Sequence, residues 1–151
     1  MDTSEMSIAR CIKAVEIQAL WKPANGDFCW HDNDGDDYMG QWEFPAEWTI
    51  VHIDNVRPQD WWLNWIWLPR QDQLQKMISE SGEDQYYDLR SLWEWTREGP
   101  EGEDWQTQYS QQFKTMEQLW LAFVMKEKYN KVWDSGDWKV QTSKVQTSKV
   151  H

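Results

Sequence analysis

Thr115-Met-Glu-Gln-Leu-Trp-Leu-Ala-Phe-Val-Met-Lys-Glu-Lys-Tyr-Asn-Lys-Val-Trp-Asp134 is the stretch that decides the fold class. Met116, Leu119, Trp120, Phe123 and Val124 recur at the i, i+3, i+4, i+7, i+8 spacing of an amphipathic helix. Thr115 and Gln118 fit a capping box at its start. Immediately after it, Asp134-Ser135-Gly136-Asp137 sits between Val132-Trp133 and Trp138-Lys139, a hairpin signal. A strong helix running into a hairpin predicts an α+β domain.

Working outward, the N-terminal side carries a second helical pattern over 5–20. Ile8, Cys11, Ile12, Val15 and Ala19 form its apolar stripe. Pro23 and Asn25-Gly26 end it. Asp27–His31 alternates as a short strand, with Phe28 and Trp30 on one face. Further strand candidates are Gln41–Phe44, Glu47–Ile53 and Asn64–Leu68. Pro69 opens a helix from Arg70 to about Ser81, with Leu74, Met77 and Ile78 inward. A third helix is predicted over Asp88–Arg97, with Leu89, Leu92, Trp93 and Thr96 on one face and Asp88 as its cap. The sum is one antiparallel sheet of three to four strands, with three to four helices packed mainly on one face. Residues 1–140 form a single domain on this reading. Residues 141–151 form a repetitive, mobile tail, in which Lys-Val-Gln-Thr-Ser occurs at 139–143 and again at 144–148.

The chain has 151 residues and a mean hydropathy of −0.91. That value does not signal disorder, because 14 Trp and 5 Tyr supply large rings to bury. The net charge is −11. Residues 1–64 hold 4 Lys or Arg against 12 Asp or Glu; residues 65–151 hold 11 against 14. Nucleic-acid binders need a basic face, so direct nucleic-acid binding is not expected. An acidic surface also disfavours anionic membranes, and no apolar run is long enough to span one. The opening Met1-Asp2-Thr3-Ser4-Glu5 lacks the pattern of a signal peptide, so a cytoplasmic location is expected.

Three stretches carry a resemblance: Glu16–Trp30, Ile66–Ile78 and Thr115–Asp134. Together they cover about a third of the chain. They resemble small proteins encoded by phages and prophages of Gram-positive bacteria. The resemblance implies a mobile-element origin and a bacterial host cytoplasm. It brings no activity and no functional residues.

Several residue clusters have the chemistry of a site. Asp32, Asp34, Asp36 and Glu43 stand at positions 1, 3, 5 and 12 of a calcium-type loop. The bend position holds Asp37 where Gly is needed, and the flanks read as strands. A solvated turn is therefore expected, and no metal. Cys11, Cys29, His31 and His52 are potential zinc ligands or a Cys–His nucleophile, but they lack paired ligand spacing. Buried thiols and surface histidines are expected instead. No Gly-x-Gly phosphate loop occurs, so no cofactor is expected.

Two patches remain. Trp61, Trp62, Trp65 and Trp67 form a partner-binding candidate, with Trp62 facing opposite to the other three in a strand. Asp32, Asp34, Asp36 and Asp37 form an acidic patch. The expected function is that of a non-enzymatic phage or prophage accessory protein that binds an as yet unidentified protein partner. One alternative is an acidic inhibitor that imitates a phosphate backbone toward a host defence or nucleic-acid-binding protein. A small enzyme is the third reading.

A mobile repeat contributes nothing to the core. Deleting residues from Thr142 onward should therefore move the thermal midpoint by no more than about two degrees. A larger drop in a melting scan would mean that the repeat docks on the domain.

Overall fold

The computed structural model describes residues 2–31, 49–53, 65–79, 85–97 and 109–142. The strand candidate Gln41–Phe44 lies outside these residues. Five helices are described: α1 Glu5–Lys13, α2 Val15–Ala19, α3 Gln71–Ile78, α4 Gln85–Arg97 and α5 Met116–Tyr129. A single helical turn at 109–111 precedes α5. The strands are β1 Phe28–His31, β2 Thr49–His52, β3 Ile66–Leu68, β4 Lys131–Asp134 and β5 Asp137–Val140. The class is α+β. No described helix is long and apolar enough to cross a membrane.

The strands form two separate antiparallel sheets, not one. The first has the order β2-β1-β3, and the second is the β4-β5 hairpin. The cause is α1, which contacts β3 on one side and β5 on the other and so keeps the sheets apart. Nor do the helices form a layer on one sheet face. They gather around α5, which contacts α1, α3, α4 and β4.

The sequence stripe on α5 underestimates its burial. Trp120, Leu121, Ala122, Phe123, Val124 and Met125 are all buried. Six consecutive buried positions cover every direction around a helix of 3.6 residues per turn. Met116, assigned to the stripe, is exposed. Aromatic rings fill the space around the axis: Trp120 meets Phe123 edge-on at 5.8 Å, and Trp95 tilts over Phe123 at 5.5 Å.

The predicted helix over 5–20 breaks at Ala14, whose ψ of 63° turns the chain. Val15 and Ala19 consequently face solvent, while Ala14 and Ile17 are buried. The break also aims Gln18 at β3. Its carboxamide accepts from the Trp67 N–H at 2.8 Å and donates to the Trp67 carbonyl at 2.9 Å. A side chain thus closes part of an open sheet edge.

The capping box forms by half. The Thr115 hydroxyl accepts from the Gln118 N–H at 3.3 Å. The Gln118 side chain turns inward instead of back to the cap. Its oxygen accepts from Arg10 Nη1 at 2.6 Å, and its nitrogen donates to Asp2. Arg10 is buried, with its guanidinium over the rings of Phe113 at 4.6 Å and Trp133 at 5.6 Å. One neutral amide therefore links a buried cation to a carboxylate. The hairpin turn places Ser135 and Gly136 at φ of 51° and 86°, the signs that a type I′ turn requires.

Burial pushes the Asp2 carboxyl upward, but hydrogen bonds from Thr115, Ser4 and Gln118 outweigh it and hold it below 3.8. A folded value below the unfolded one adds stability above the unfolded pKa. That stability is lost as pH falls through the folded value. Asp2→Asn should therefore cost about 1 kcal/mol at pH 7. The cost should vanish below about pH 3. Urea melts of both proteins at the two pH values check this; a cost that persists in acid would remove Asp2 from the linkage.

Candidate functional site

The structure places the sequence candidates as follows. Trp61 and Trp62, and with them the proposed facing of Trp62, lie outside the described residues, as do Asp32, Asp34, Asp36, Asp37 and Glu43. Trp65 is half-buried just ahead of β3. Trp67 is buried within β3 and stacks on Trp21, with ring centroids at 6.3 Å and planes at 4°. Its neighbour Trp21 donates its indole N–H to Asp27 at 2.9 Å. The same buried carboxylate accepts from the Ala24 N–H at 3.0 Å and from Gln73 at 2.6 Å. These contacts fasten the loop before β1 to α3.

The cysteines are both buried and free. Burial pushes the Cys11 thiol up to about 12, with a smaller push from Asp2. Burial, and then the charge of Asp27, raises Cys29 to about 12 as well. Neither is a thiolate near neutrality, so neither is a nucleophile there. Strand register pairs Phe28 with His52 and His31 with Thr49. The two histidines thus stand at opposite ends of the β1–β2 ladder, about 10 Å apart along it. Among the described residues no group of three His, Cys, Asp or Glu gathers to hold a metal.

Two hollows occur. One is a closed void of about 10 Å³ among Asp2, Ser7, Cys11 and Glu117, room for one water. The other is an open depression of about 580 Å³ between Tyr109, Gln112, Trp133 and the Ser135-Gly136 turn. Its polar groups are already occupied. The Tyr109 hydroxyl accepts from the Trp133 N–H at 2.7 Å, and Asp134 pairs with Lys139 at 2.9 Å. Burial raises the Tyr109 hydroxyl to about 12, against the pull of its hydrogen bond and of Arg10.

The outward face of α4 is different. Of the nine described tryptophans, Trp93 is the one that is exposed, at 55%. Tyr86, Tyr87 and Leu89 are exposed beside it. Tyr86, Leu89 and Trp93 fall at i, i+3 and i+7, so they form one stripe. The expected inner face of this helix is rotated. Leu92 is buried as predicted, but its partner toward the core is Trp95, which meets Tyr109 edge-on at 6.0 Å. Leu89 and Trp93 were expected inside and stand outside. Period alone cannot choose between two adjacent apolar stripes on one helix; the Trp95–Phe123 contact chooses. Asp88 lies in the first turn of a helix that begins at Gln85, so it does not cap it.

The α4 stripe is internally balanced in charge. Arg90 pairs with Glu94 at 2.7 Å, and the Arg97 guanidinium lies 4.3 Å over the Trp93 ring. The wider charge distribution is uneven. The described residues hold 12 Lys or Arg against 11 Asp or Glu, whereas the chain holds 15 against 26. The acidity therefore belongs almost wholly to the remaining segments. Residues 80–104, which contain α4, hold two Arg against nine Asp or Glu. Length and composition signalled an excess of Trp; the α4 face was missed because its residues fit a core stripe equally well.

A thiol titration follows from the burial of both cysteines. At pH 8 the folded protein should show negligible reaction with a disulfide reagent, and both thiols should react once denatured. Rapid labelling of the native chain would show that one of them is accessible. No family model, curated protein or solved structure matches this chain.

Proposed function

We propose that this protein acts by binding a protein partner through apolar contacts, and not by catalysis. The observation that carries the reading is the exposed stripe Tyr86, Leu89 and Trp93 on α4. Large rings left in water are unfavourable unless something covers them. Trp, Tyr and Arg are also the residue types that dominate binding energy at protein interfaces. Arg97 stacked on Trp93 and Arg90 tied to Glu94 hold that face in a fixed shape, which lowers the entropy lost on docking. The resemblance to phage and prophage proteins makes a bacterial host protein the natural partner and the host cytoplasm the place of action. The Trp65–Trp67 segment fits the role less well, because Trp67 is already committed to Trp21.

A second reading is supported by the charge distribution. Residues 32–48 contain six Asp or Glu and no Lys or Arg. Such a run suits an imitation of a phosphate backbone toward a host nucleic-acid-binding protein.

Binding measurements separate the two. Trp93→Ala should leave the melting temperature nearly unchanged, because the ring packs outward. It should weaken retention of partners from a Gram-positive lysate by about tenfold, through faster dissociation. The mimic reading expects instead that neutralising Asp32, Asp34, Asp36 and Asp37 abolishes retention while Trp93→Ala does not. Hydrolysis of a nucleotide or ester by the purified chain would overturn both.

A further inference from the structure

We infer that the outward face of α4 docks into an apolar groove whose rim carries Lys and Arg. This rests on the partner-binding reading above and specifies the partner's chemistry. The helix itself has no net charge: Asp88 and Glu94 balance Arg90 and Arg97. Its surroundings in the sequence do not balance. Glu80, Glu83 and Asp84 precede it, and Glu98, Glu101, Glu103 and Asp104 follow it.

Peptide geometry alone limits how far these acids can lie from the stripe. Asp84 and Glu98 are the residues bonded directly to the two ends of α4. Consecutive Cα atoms are about 3.8 Å apart, so each begins within that distance of the helix. The 13-residue helix is itself only about 20 Å long. The Debye length in physiological salt is about 8 Å. Charges at both ends of so short a helix therefore act on whatever approaches its middle.

The result is an apolar, charge-neutral centre with negative charge at either end. An interface of complementary form has an apolar floor and a positive rim. Two copies of this chain would bring like charges together at both ends of α4, which argues against self-association there. An acidic or neutral groove forgoes the electrostatic attraction. The helix-in-groove mode also suits the i, i+3, i+7 spacing of Tyr86, Leu89 and Trp93.

The test uses the full chain and three synthetic amphipathic helical peptides of equal length. Each carries a leucine stripe, flanked by lysine, glutamine or glutamate. Binding is read by fluorescence anisotropy of the labelled peptide at about 150 mM salt. The lysine peptide should bind at least about tenfold more tightly than the glutamine peptide, and the glutamate peptide weakest of all. The double variant Leu89→Ala with Trp93→Ala keeps every charge and should lose about tenfold or more of that binding. Neutralising Glu98, Glu101, Glu103 and Asp104 should slow association of the lysine peptide. Neutralising Asp32, Asp34, Asp36 and Asp37, an equal charge removed elsewhere, should change it little.

Equal loss from the two sets of neutralisations would mean generic attraction to an acidic protein and would overturn the inference. Equal binding of all three peptides, lost in the double variant, would leave the binding face standing and remove the basic rim. Indifference of every peptide to the double variant would remove the face and the partner-binding reading with it. Circular dichroism melts of each variant ensure that lost binding is not lost fold. Light scattering that shows an α4-dependent dimer would also overturn the proposal.

Discussion

A helix without a solvent face imposes its needs on the rest of the chain. From Trp120 to Met125 every side chain of α5 is buried, so every direction around its axis must be covered. The covering comes from α1, α3, α4 and β4, elements drawn from both ends of the sequence. Burying a ring such as Trp120 removes on the order of 200 Å² from water. That burial is the main driving force available to a chain of this polarity. The two sheets are small, with three and two strands, and neither has the area to form a core alone. Each is stable because it leans on the helices around α5.

The polar groups inside are arranged so that this packing has one solution. Arg10 lies among aromatic rings and is reached by a single amide, Gln118, which in turn holds Asp2. A charge so placed resists rotation of α1, because turning it would strand the guanidinium in an apolar environment. The Trp138 indole donates to the Arg10 carbonyl at 2.9 Å and fastens the hairpin to the same residue. On the opposite side, Asp27 gathers Trp21, Ala24 and Gln73 and fixes β1 against α3. Apolar burial supplies the affinity between elements, and these two polar nodes set their angles.

What was legible in the sequence follows the range of the interactions involved. The β4–β5 hairpin and the Phe28–His31 strand could be read because turn chemistry and strand alternation are local. The helices could be located for the same reason. Their orientation could not. The break at Ala14 depends on Gln18 finding β3, about fifty residues away. The facing of α4 depends on Trp95 finding Phe123. The split into two sheets depends on α1 entering between them. Each is a choice among locally equivalent alternatives, settled by a contact distant in sequence. The candidate site was hidden by the same ambiguity, since Leu89 and Trp93 satisfy an inward stripe as well as an outward one.

The Asp2–Gln118 and Arg10–Trp138 contacts join residues separated by 116 and 128 positions. During synthesis the α1 face that carries Ile8, Arg10 and Cys11 emerges from the ribosome first and waits longest. At about 5–20 residues per second, its partners on α5 and β5 follow on the order of ten seconds later. Over that interval α1 can be only a nascent helix, since nine residues do not hold a helix alone in water. The domain therefore closes late and all at once, with folding dominated by long-range contacts and correspondingly slow. A cell producing this chain must shield an amphipathic leading segment until the last quarter of the domain has been made.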